Sequence, residues 1–328
     1  MAKRGTIALF IPHMGCPHAC SFCDQKSISG EGNPVTPETI RKELAQAFSH
    51  SQPAQVEIAF FGGSFTCLPK EEMTAFLQEA KPYLDSGQAA SLRCSTRPDG
   101  ITPEILDILS AYGMETVELG AQSLDDNVLR INGRGHTAKD VIRAVSLLKA
   151  HGFQVGLQIM TGLPGDSPES LSKTVDTVVS LRPDMLRIYP TVVVRKTALA
   201  RWMEEGRFTP MGVEEAVKTC APILRRMEQE NIPVIRMGLH AEKSLEKEML
   251  GGAYHPAFRE LCESRLLRED VTPVLLRHAP GPVTLLVPPQ HISRAVGQKR
   301  ANIAYWKERG YTVTVRGDET LTGGFAVK

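Results

Sequence analysis

Three cysteines near the start of the chain are spaced so that they can hold an iron–sulfur cluster. Cys16, Cys20 and Cys23 follow the pattern C-x3-C-x2-C, and Phe22 immediately precedes the third of them. Thiolates are the usual ligands of such clusters. Three thiolates on one short loop hold three corners of a [4Fe–4S] cube, and the fourth iron is left open to a small molecule. The spacing therefore predicts a cluster with one open coordination site.

Other uses of the cysteines remain open on the loop alone. A zinc site is possible if His13 or His18 supplies a fourth ligand. A disulfide framework fits less well, because the chain has seven cysteines, an odd number, and starts without a signal peptide. Four further cysteines are scattered singly and are interpreted as ordinary small apolar residues: Cys67, Cys94, Cys220 and Cys262.

The composition is that of a soluble globular protein. With 328 residues, the chain is long enough for one large α/β domain and a small second one. Its 42% hydrophobic and 23% charged residues are ordinary, and no apolar run approaches the ~18 residues of a membrane span. We therefore expect a cytoplasmic protein without membrane contact. The net charge of +1 implies no general attraction to nucleic acid, so such a signal must be local.

Short apolar runs alternate with amphipathic stretches along most of the chain. Thr6–Ile11 is predicted as a strand that enters the cysteine loop, Thr36–Ser49 as a helix with Thr36 as its N-cap, and Val56–Phe61 as the second strand. Six or seven such strand–helix units fit before residue 240. This rhythm predicts an α/β fold, a partial (β/α)6-type barrel whose chemistry lies at the carboxyl ends of parallel strands.

Unusual residues do fall at those predicted strand ends. The second strand ends in Gly62-Gly63-Ser64, where exposed carbonyls and a hydroxyl are able to take an ammonium group; a tight turn without a ligand is the alternative. Gln122 follows the fourth strand, and Gln158 lies near the end of the fifth. Arg134 follows Gln122, and a guanidinium is the natural bidentate partner of a carboxylate. Together these residues predict a site for a small polar ligand beside the cysteines.

With these residues in place, the chain resembles the radical S-adenosylmethionine (SAM) proteins. It looks like the radical SAM proteins of the type found in the catalytic subunit of Elongator, and more loosely like oxygen-independent coproporphyrinogen dehydrogenase. Besides the cysteine spacing, the resemblance rests on four motifs in order: ELGAQSLD at 118–125, RGHT at 134–137, QIMTGLPG at 158–165 and RIYPTVVVR at 187–195. It covers about residues 5–240.

The resemblance implies a role for each candidate residue. The three cysteines would ligate the cluster, SAM would chelate its open iron, and an electron donor such as flavodoxin or ferredoxin would reduce it. Ser64 replaces the acid of the family's Gly-Gly-Glu motif, which holds the amino group of SAM. The implied cofactor contacts are Phe22, Gly62, Gly63, Ser64, Gln122, Arg134 and Gln158, with Arg134 on the SAM carboxylate and the two glutamines on its ribose. No catalytic residue is identified.

The last part of the chain follows a different pattern. After Pro280-Gly281-Pro282, the order strand–helix–turn–helix–strand resembles a KH RNA-binding module, whose G-x-x-G loop clamps the nucleic-acid backbone. Here Gly297, Lys299 and Arg300 are the predicted RNA contacts, and Arg300 replaces the second glycine. A small α/β appendage with a solvated basic turn is the alternative. We predict a barrel over 1–240, a linker or helical extension over 241–280, and a KH-like module over 281–328.

The two resemblances together predict a radical SAM enzyme that cleaves SAM to a 5′-deoxyadenosyl radical and modifies tRNA or rRNA. Two other hypotheses remain: a radical SAM enzyme acting on a small molecule or a protein, and a non-catalytic RNA-binding iron–sulfur protein. Elongator's catalytic subunit carries an acetyltransferase domain after its radical domain. Since this chain ends at Lys328, we do not expect the acetyl-CoA-dependent reaction here.

Overall fold

A parallel sheet of seven strands forms the centre of the protein. The computed structural model describes residues 5–11, 14–23, 35–50, 56–239 and 243–328. The strands of this sheet are β1 (Gly5–Phe10), β2 (Val56–Phe61), β3 (Ser91–Thr96), β4 (Met114–Gln122), β5 (Gln154–Thr161), β6 (Met185–Pro190) and β8 (Val234–Met237). They lie in the order β1-β2-β3-β4-β5-β6-β8, and every neighbouring pair is parallel. The sheet is open, because β1 and β8 are its two edges.

Helices connect the strands. They are α1 (Pro37–Phe48), α2 (Lys70–Asp85), α3 (Pro103–Ala111), α4 (Asp126–Ile131), α5 (Ala138–Ala150), α6 (Pro168–Leu181), α7 (Ala198–Glu204) and α8 (Val213–Gln229). Several begin with local hydrogen bonds that their sequences specify. The Thr36 hydroxyl accepts from the backbone N–H of Thr39, which confirms the predicted N-cap, and Ser167 caps α6 in the same way.

The main core lies between the sheet and its helices. Side chains such as Ile58, Leu92 and Leu157 are fully buried there, each stabilising the fold by about 2 kcal/mol. Cys94, Cys220 and Cys262 belong to the same core, as expected of small apolar residues.

The chain after residue 190 adds smaller elements. Strands β7 (Val192–Val194) and β9 (Met249–Gly252) form an antiparallel pair, and α9 (Lys243–Glu248) precedes β9. The tail then contains α10 (Phe258–Leu275), β10 (Gly281–Val287), α11 (Ile292–Val296), α12 (Ala301–Lys307), β11 (Tyr311–Gly317) and β12 (Ala326–Val327). β10 is central, parallel to β11 and antiparallel to β12. The predicted partial barrel with a small C-terminal α+β domain is confirmed.

Helix α10 joins the two parts of the molecule. Its first half, with Phe258 and Cys262, packs into the main core. Its second half, with Val271 and Leu275, packs into the tail's own core around Trp306. The stretch 241–280 therefore contains a helix shared by two cores, and the predicted division at 240 and 280 stays a prediction. In the described part of the chain, no helix is long and apolar enough to cross a bilayer.

Candidate functional site

The cysteine loop is fixed at the carboxyl edge of the sheet by the turn that follows β2. The backbone N–H of Ile11 donates to Phe61 O at 2.7 Å, and Ser64 N–H donates to Met14 O at 3.0 Å. A Cβ atom on Gly63 would lie 2.3 Å from Met14 O, so only glycine permits this approach. Pro12 and His13 lie outside the described residues. His13 is one of the two histidines considered as a fourth ligand of a zinc site.

A second clamp comes from residues far away in sequence. The Ser21 hydroxyl donates to Asn132 Oδ1 at 2.6 Å, and Ser21 N–H donates to Asn132 O at 3.1 Å. Ser21 O in turn accepts from the N–H of Leu199 at the start of α7. Asn132 is itself buried, and its amide group donates to Pro164 O. Three separate segments therefore set the position of the loop.

The loop closes one side of a cavity of about 550 Å³. Nine predicted residues line it: Cys16, Cys20, Phe22, Cys23, Gly62, Gly63, Gln122, Arg134 and Gln158. A volume of this size is typical of a small-molecule site. A larger cavity of about 790 Å³ lies between α6 and α8, and no predicted site residue lines it.

Ser64 is the one predicted barrel contact that does not line this cavity. It is fully buried, and its hydroxyl lies 3.0 Å from Thr96 Oγ1 and accepts from Arg97 N–H at 3.1 Å. The same hydroxyl donates to Cys67 Sγ at 3.2 Å. The Ser64 side chain therefore stabilises the turn after β2 from inside the protein. Gly62 and Gly63 of the same turn line the cavity instead.

Arg134 is buried beside the cysteines without an acidic partner among the described residues. Its side chain donates to Cys20 Sγ at 3.0 Å and to Gly120 O at 2.5 Å, and it lies over the Phe22 ring at 5.9 Å. Its Nε has no hydrogen-bond partner there. A buried cation without a counter-charge is costly, so this position favours an anionic ligand. Arg97, paired with Asp99, donates to Arg134 O and supports the backbone.

Gln122 reaches the cavity because β4 is irregular at its end. The register with β5 shifts between Gly120 and Gln122, and Gln122 has a φ of +65°. Such a bulge re-aims a side chain. The Oε1 atom of Gln122 is buried and has no hydrogen-bond partner among the residues that the structure describes. The Nε2 atom of buried His136 lies 3.2 Å from Ala121 O and supports the bulge. Burial, together with the positive charges of Arg134 and Arg97, lowers the pKa of His136 to about 4.

These features fit a [4Fe–4S] cluster and SAM. A cubane spreads its three thiolates over three different irons, so the ligands need not converge on one point. Within residues 5–11, 14–23, 35–50, 56–239 and 243–328, no three side chains of Cys, His, Asp or Glu converge as ligands of a single ion would. The unpaired Arg134 Nε and Gln122 Oε1 are suited to a carboxylate and a hydroxyl of a small molecule.

Nine residues that sequence reasoning did not assign to the site also line the cavity. Among them are Phe10, Phe61, Arg187 and Tyr189, which lie on β1, β2 and β6. The alternation of strand side chains was the available signal, since Arg187 and Tyr189 are two residues apart and share a face. Alternation alone does not tell which face of a strand lines the interior.

The predicted RNA-binding turn lies between α11 and α12. Gly297 is buried, with a φ of +76°, whereas Lys299 and Arg300 are exposed at φ values of +50° and +63°. Two successive non-glycine residues in the left-handed region are uncommon. The buried Asn302 side chain holds the turn by donating to Ser264 O and Arg294 O. Neither Lys299 nor Arg300 has an acidic partner in the described chain.

Comparison with known proteins places this site in a family context. The profile of the Radical SAM superfamily matches residues 10–178, and that of the Radical_SAM C-terminal domain matches 183–268. The tRNA uridine(34) acetyltransferase of Dehalococcoides mccartyi is 28% identical over 302 residues, which cover 79% of this chain and 64% of that protein. Human Elongator complex protein 3 is 26% identical over 265 residues, covering 74% of this chain and 47% of that protein.

A solved structure shows the same fold. The archaeal Elp3 of Methanocaldococcus infernus with an N-terminal deletion has a TM-score of 0.62 and 23% identity, covering 81% of this chain and 64% of that one. The chain therefore spans less than two thirds of the length of each of these relatives.

Proposed function

This chain belongs to the radical SAM superfamily, and on that premise we propose that it is an enzyme that reductively cleaves SAM in order to modify RNA, either tRNA or rRNA. The cofactors of the family are a [4Fe–4S] cluster and SAM. When bound and reduced, they supply a 5′-deoxyadenosyl radical that abstracts a hydrogen atom from the substrate.

The observation that carries the proposal is the convergence of three cysteines and of a buried arginine, which has no acidic partner among the described residues, on one cavity. In this proposal Cys16, Cys20 and Cys23 ligate the cluster and Arg134 binds the SAM carboxylate. Gln122 and Gln158 bind the ribose. The carbonyls of Gly62 and Gly63 take the amino group, because the Ser64 hydroxyl is already engaged in the wall.

The RNA part of the proposal rests on two further observations. The Dehalococcoides relative is named as acting on a tRNA uridine, although this chain spans only 64% of it. The exposed Lys299 and Arg300 have no acidic partner in the described residues. They lie on the turn between α11 and α12, whose sequence resembles the G-x-x-G loop of KH modules. Acetyl transfer is not part of the proposal. A small electron-transfer protein such as flavodoxin or ferredoxin would reduce the cluster.

The direct test measures 5′-deoxyadenosine formed by anaerobically reconstituted, dithionite-reduced protein, with and without bulk cellular tRNA and rRNA. We expect formation to depend on intact RNA, because substrate closes the site against water and unproductive cleavage. RNA digested to nucleosides is the control and should not stimulate. Equal formation of 5′-deoxyadenosine with and without RNA would indicate that the substrate is a small molecule or a protein. No formation by a protein with an intact cluster would favour a non-catalytic iron–sulfur protein.

A second prediction concerns the tail. The double substitution Lys299→Glu/Arg300→Glu should weaken tRNA binding roughly ten- to a hundredfold near 0.1 M salt, because it places two negative charges at proposed phosphate contacts. The slope of log K against log salt should fall by about 2. Titration by fluorescence anisotropy at several salt concentrations measures both quantities.

The chain offers a matched control for that experiment. Two exposed basic residues lie at the other end of the tail from the turn. Arg277 comes two residues after the end of α10, and Lys307 is the last residue of α12. Arg277→Glu/Lys307→Glu makes the same change in charge and should alter the affinity little. If both double variants lose affinity equally, binding follows overall charge, and the assignment of the turn is wrong.

A further inference from the structure

The interior of the barrel contains a buried network of charged side chains beneath the proposed SAM site. Its centre is Glu118 on β4, whose side chain is completely buried. The carboxylate accepts from Arg187 Nε at 2.5 Å and Nη2 at 2.9 Å, from Arg93 Nη1 at 2.7 Å, and from Gln158 Nε2 at 3.1 Å. Arg93 also donates to Glu57 at 2.6 Å. Two carboxylates therefore balance two guanidinium groups.

The network keeps Glu118 ionised and Arg187 immobile. Burial by itself would raise the pKa of Glu118, but hydrogen bonds and charge from Arg187 and then Arg93 hold it below its usual value. The two nitrogens Nε and Nη2 of Arg187 engage Glu118 as a planar fork, and the guanidinium lies over the Phe61 ring at 5.7 Å. Nη1 is thus the one guanidinium nitrogen of Arg187 that does not donate to Glu118.

Tyr189 lies next to Arg187 on the inner face of β6. Both residues line the cavity of the cysteines. Burial raises the pKa of Tyr189, which is therefore a neutral hydroxyl at physiological pH. Neither group belongs to the ligand set proposed for the cluster or for SAM. The two side chains are hydrogen-bonded to each other, with the Arg187 guanidinium donating, so the Tyr189 hydroxyl can still donate to a ligand. Both are therefore donors in the wall that β6 gives to the cavity.

The same cavity also has an apolar wall at the open edge of the sheet. Phe10 lies on the edge strand β1 and remains 45% exposed although it lines the cavity. An exposed aromatic face inside a cavity is suited to stacking with a flat ring. The cavity therefore has an aromatic surface on β1 and a pair of hydrogen-bond donors on β6.

We propose that Arg187 and Tyr189, with Arg187 held in place by Glu118, recognise a neutral carbonyl oxygen on the ring of the substrate base, and that Phe10 stacks on that ring. The four charges of the network cancel, and Arg236 on the neighbouring strand β8 adds one positive charge near Arg187 and Tyr189. The preference for a base over a phosphate therefore rests on Phe10, because an aromatic ring stacks on a flat base and not on a phosphate. The carbonyl oxygens of a pyrimidine are acceptors that such a stacked ring presents to the two donors. The inference rests on the proposed function and names the residues that select the base.

Two substitutions test the inference with reconstituted full-length protein and bulk cellular tRNA. Tyr189→Phe removes one hydroxyl and keeps the packing. Arg187→Lys keeps the charge and loses the planar fork. Each should raise the KM for tRNA in 5′-deoxyadenosine formation by roughly ten- to a hundredfold, since a buried acceptor loses its donor. SAM affinity measured without RNA, and the melting temperature of Tyr189→Phe, should stay near the wild-type values.

Tyr112→Phe is the matched control, because Tyr112 lies at the end of α3, away from the cavity, and should leave the KM unchanged. Wild-type KM values in both Tyr189→Phe and Arg187→Lys would overturn the inference while the proposed function stands. A loss of SAM affinity equal to the rise in KM would also overturn it, since the pair would then bind SAM. Wild-type protein that is indifferent to RNA would overturn the proposed function and this inference with it.

Discussion

Replacement of Cys20 by alanine is expected to leave the protein without a [4Fe–4S] cluster after anaerobic reconstitution. Cys20 is 7% exposed and lines the cavity together with Cys16 and Cys23. With one thiolate removed, the remaining two bind only half of the irons, and no other cysteine in this loop can replace it. Iron and acid-labile sulfide per chain, with the visible absorbance, measure the loss.

Cys220→Ala is the matched control for this experiment. Cys220 is equally a buried cysteine, but it lies in the main core, 3.3 Å from Thr161 Oγ1. Its replacement should cost about 1 kcal/mol of stability and leave the iron content unchanged. A full complement of iron and sulfide in the Cys20→Ala protein would show that the assignment of the cluster ligands is wrong.

Arg134→Gln is expected to lower the affinity for SAM by about two to three orders of magnitude. Arg134 is 6% exposed, and in the described residues its guanidinium has no acidic partner and its Nε has no hydrogen-bond partner. Removing one partner of a buried charge pair costs about 2–5 kcal/mol, which corresponds to this loss in affinity. Equilibrium dialysis of SAM against reconstituted protein measures the effect.

The iron content separates this effect from damage to the cluster. Arg134 donates to Cys20 Sγ but is not a ligand, so the Arg134→Gln protein should still bind its iron. Arg143→Gln, an exposed arginine on α5, is the control and should bind SAM as the wild type does. Unchanged SAM affinity in Arg134→Gln, with a complete cluster, would mean that another group holds the carboxylate.

The position of the cluster loop depends on contacts between residues that are distant in sequence. Ser21 and Asn132 are 111 residues apart, and Cys20 and Arg134 are 114 apart. A Cβ on Gly135 would lie 2.2 Å from the ring of His18, so the RGHT motif also needs its glycine for close packing against this loop. Because the motif supplies both this packing and Arg134, its residues act together in building the site.

The sequence by itself determined the superfamily and the order of the elements. The spacing of Cys16, Cys20 and Cys23 is local, and it predicts three cluster ligands on one loop. Hydrophobic periodicity and caps such as Thr36 are likewise local, and they placed Val56–Phe61 at its observed bounds and the first helix within one residue of its observed bounds at each end. The short β7–β9 pair was missed, because three- and four-residue strands carry too little periodicity.

Only the tertiary structure decided which side chains face the cavity. Ser64 was predicted to bind SAM, yet its hydroxyl is taken up by Thr96 and Arg97, residues on the next strand's end. Gln122 reaches the cavity through a bulge whose register depends on pairing with β5. The Glu118 network joins β2, β3, β4, β5 and β6. Side-chain direction and charge balance in a closed interior arise from long-range packing, which local spacing and periodicity do not encode.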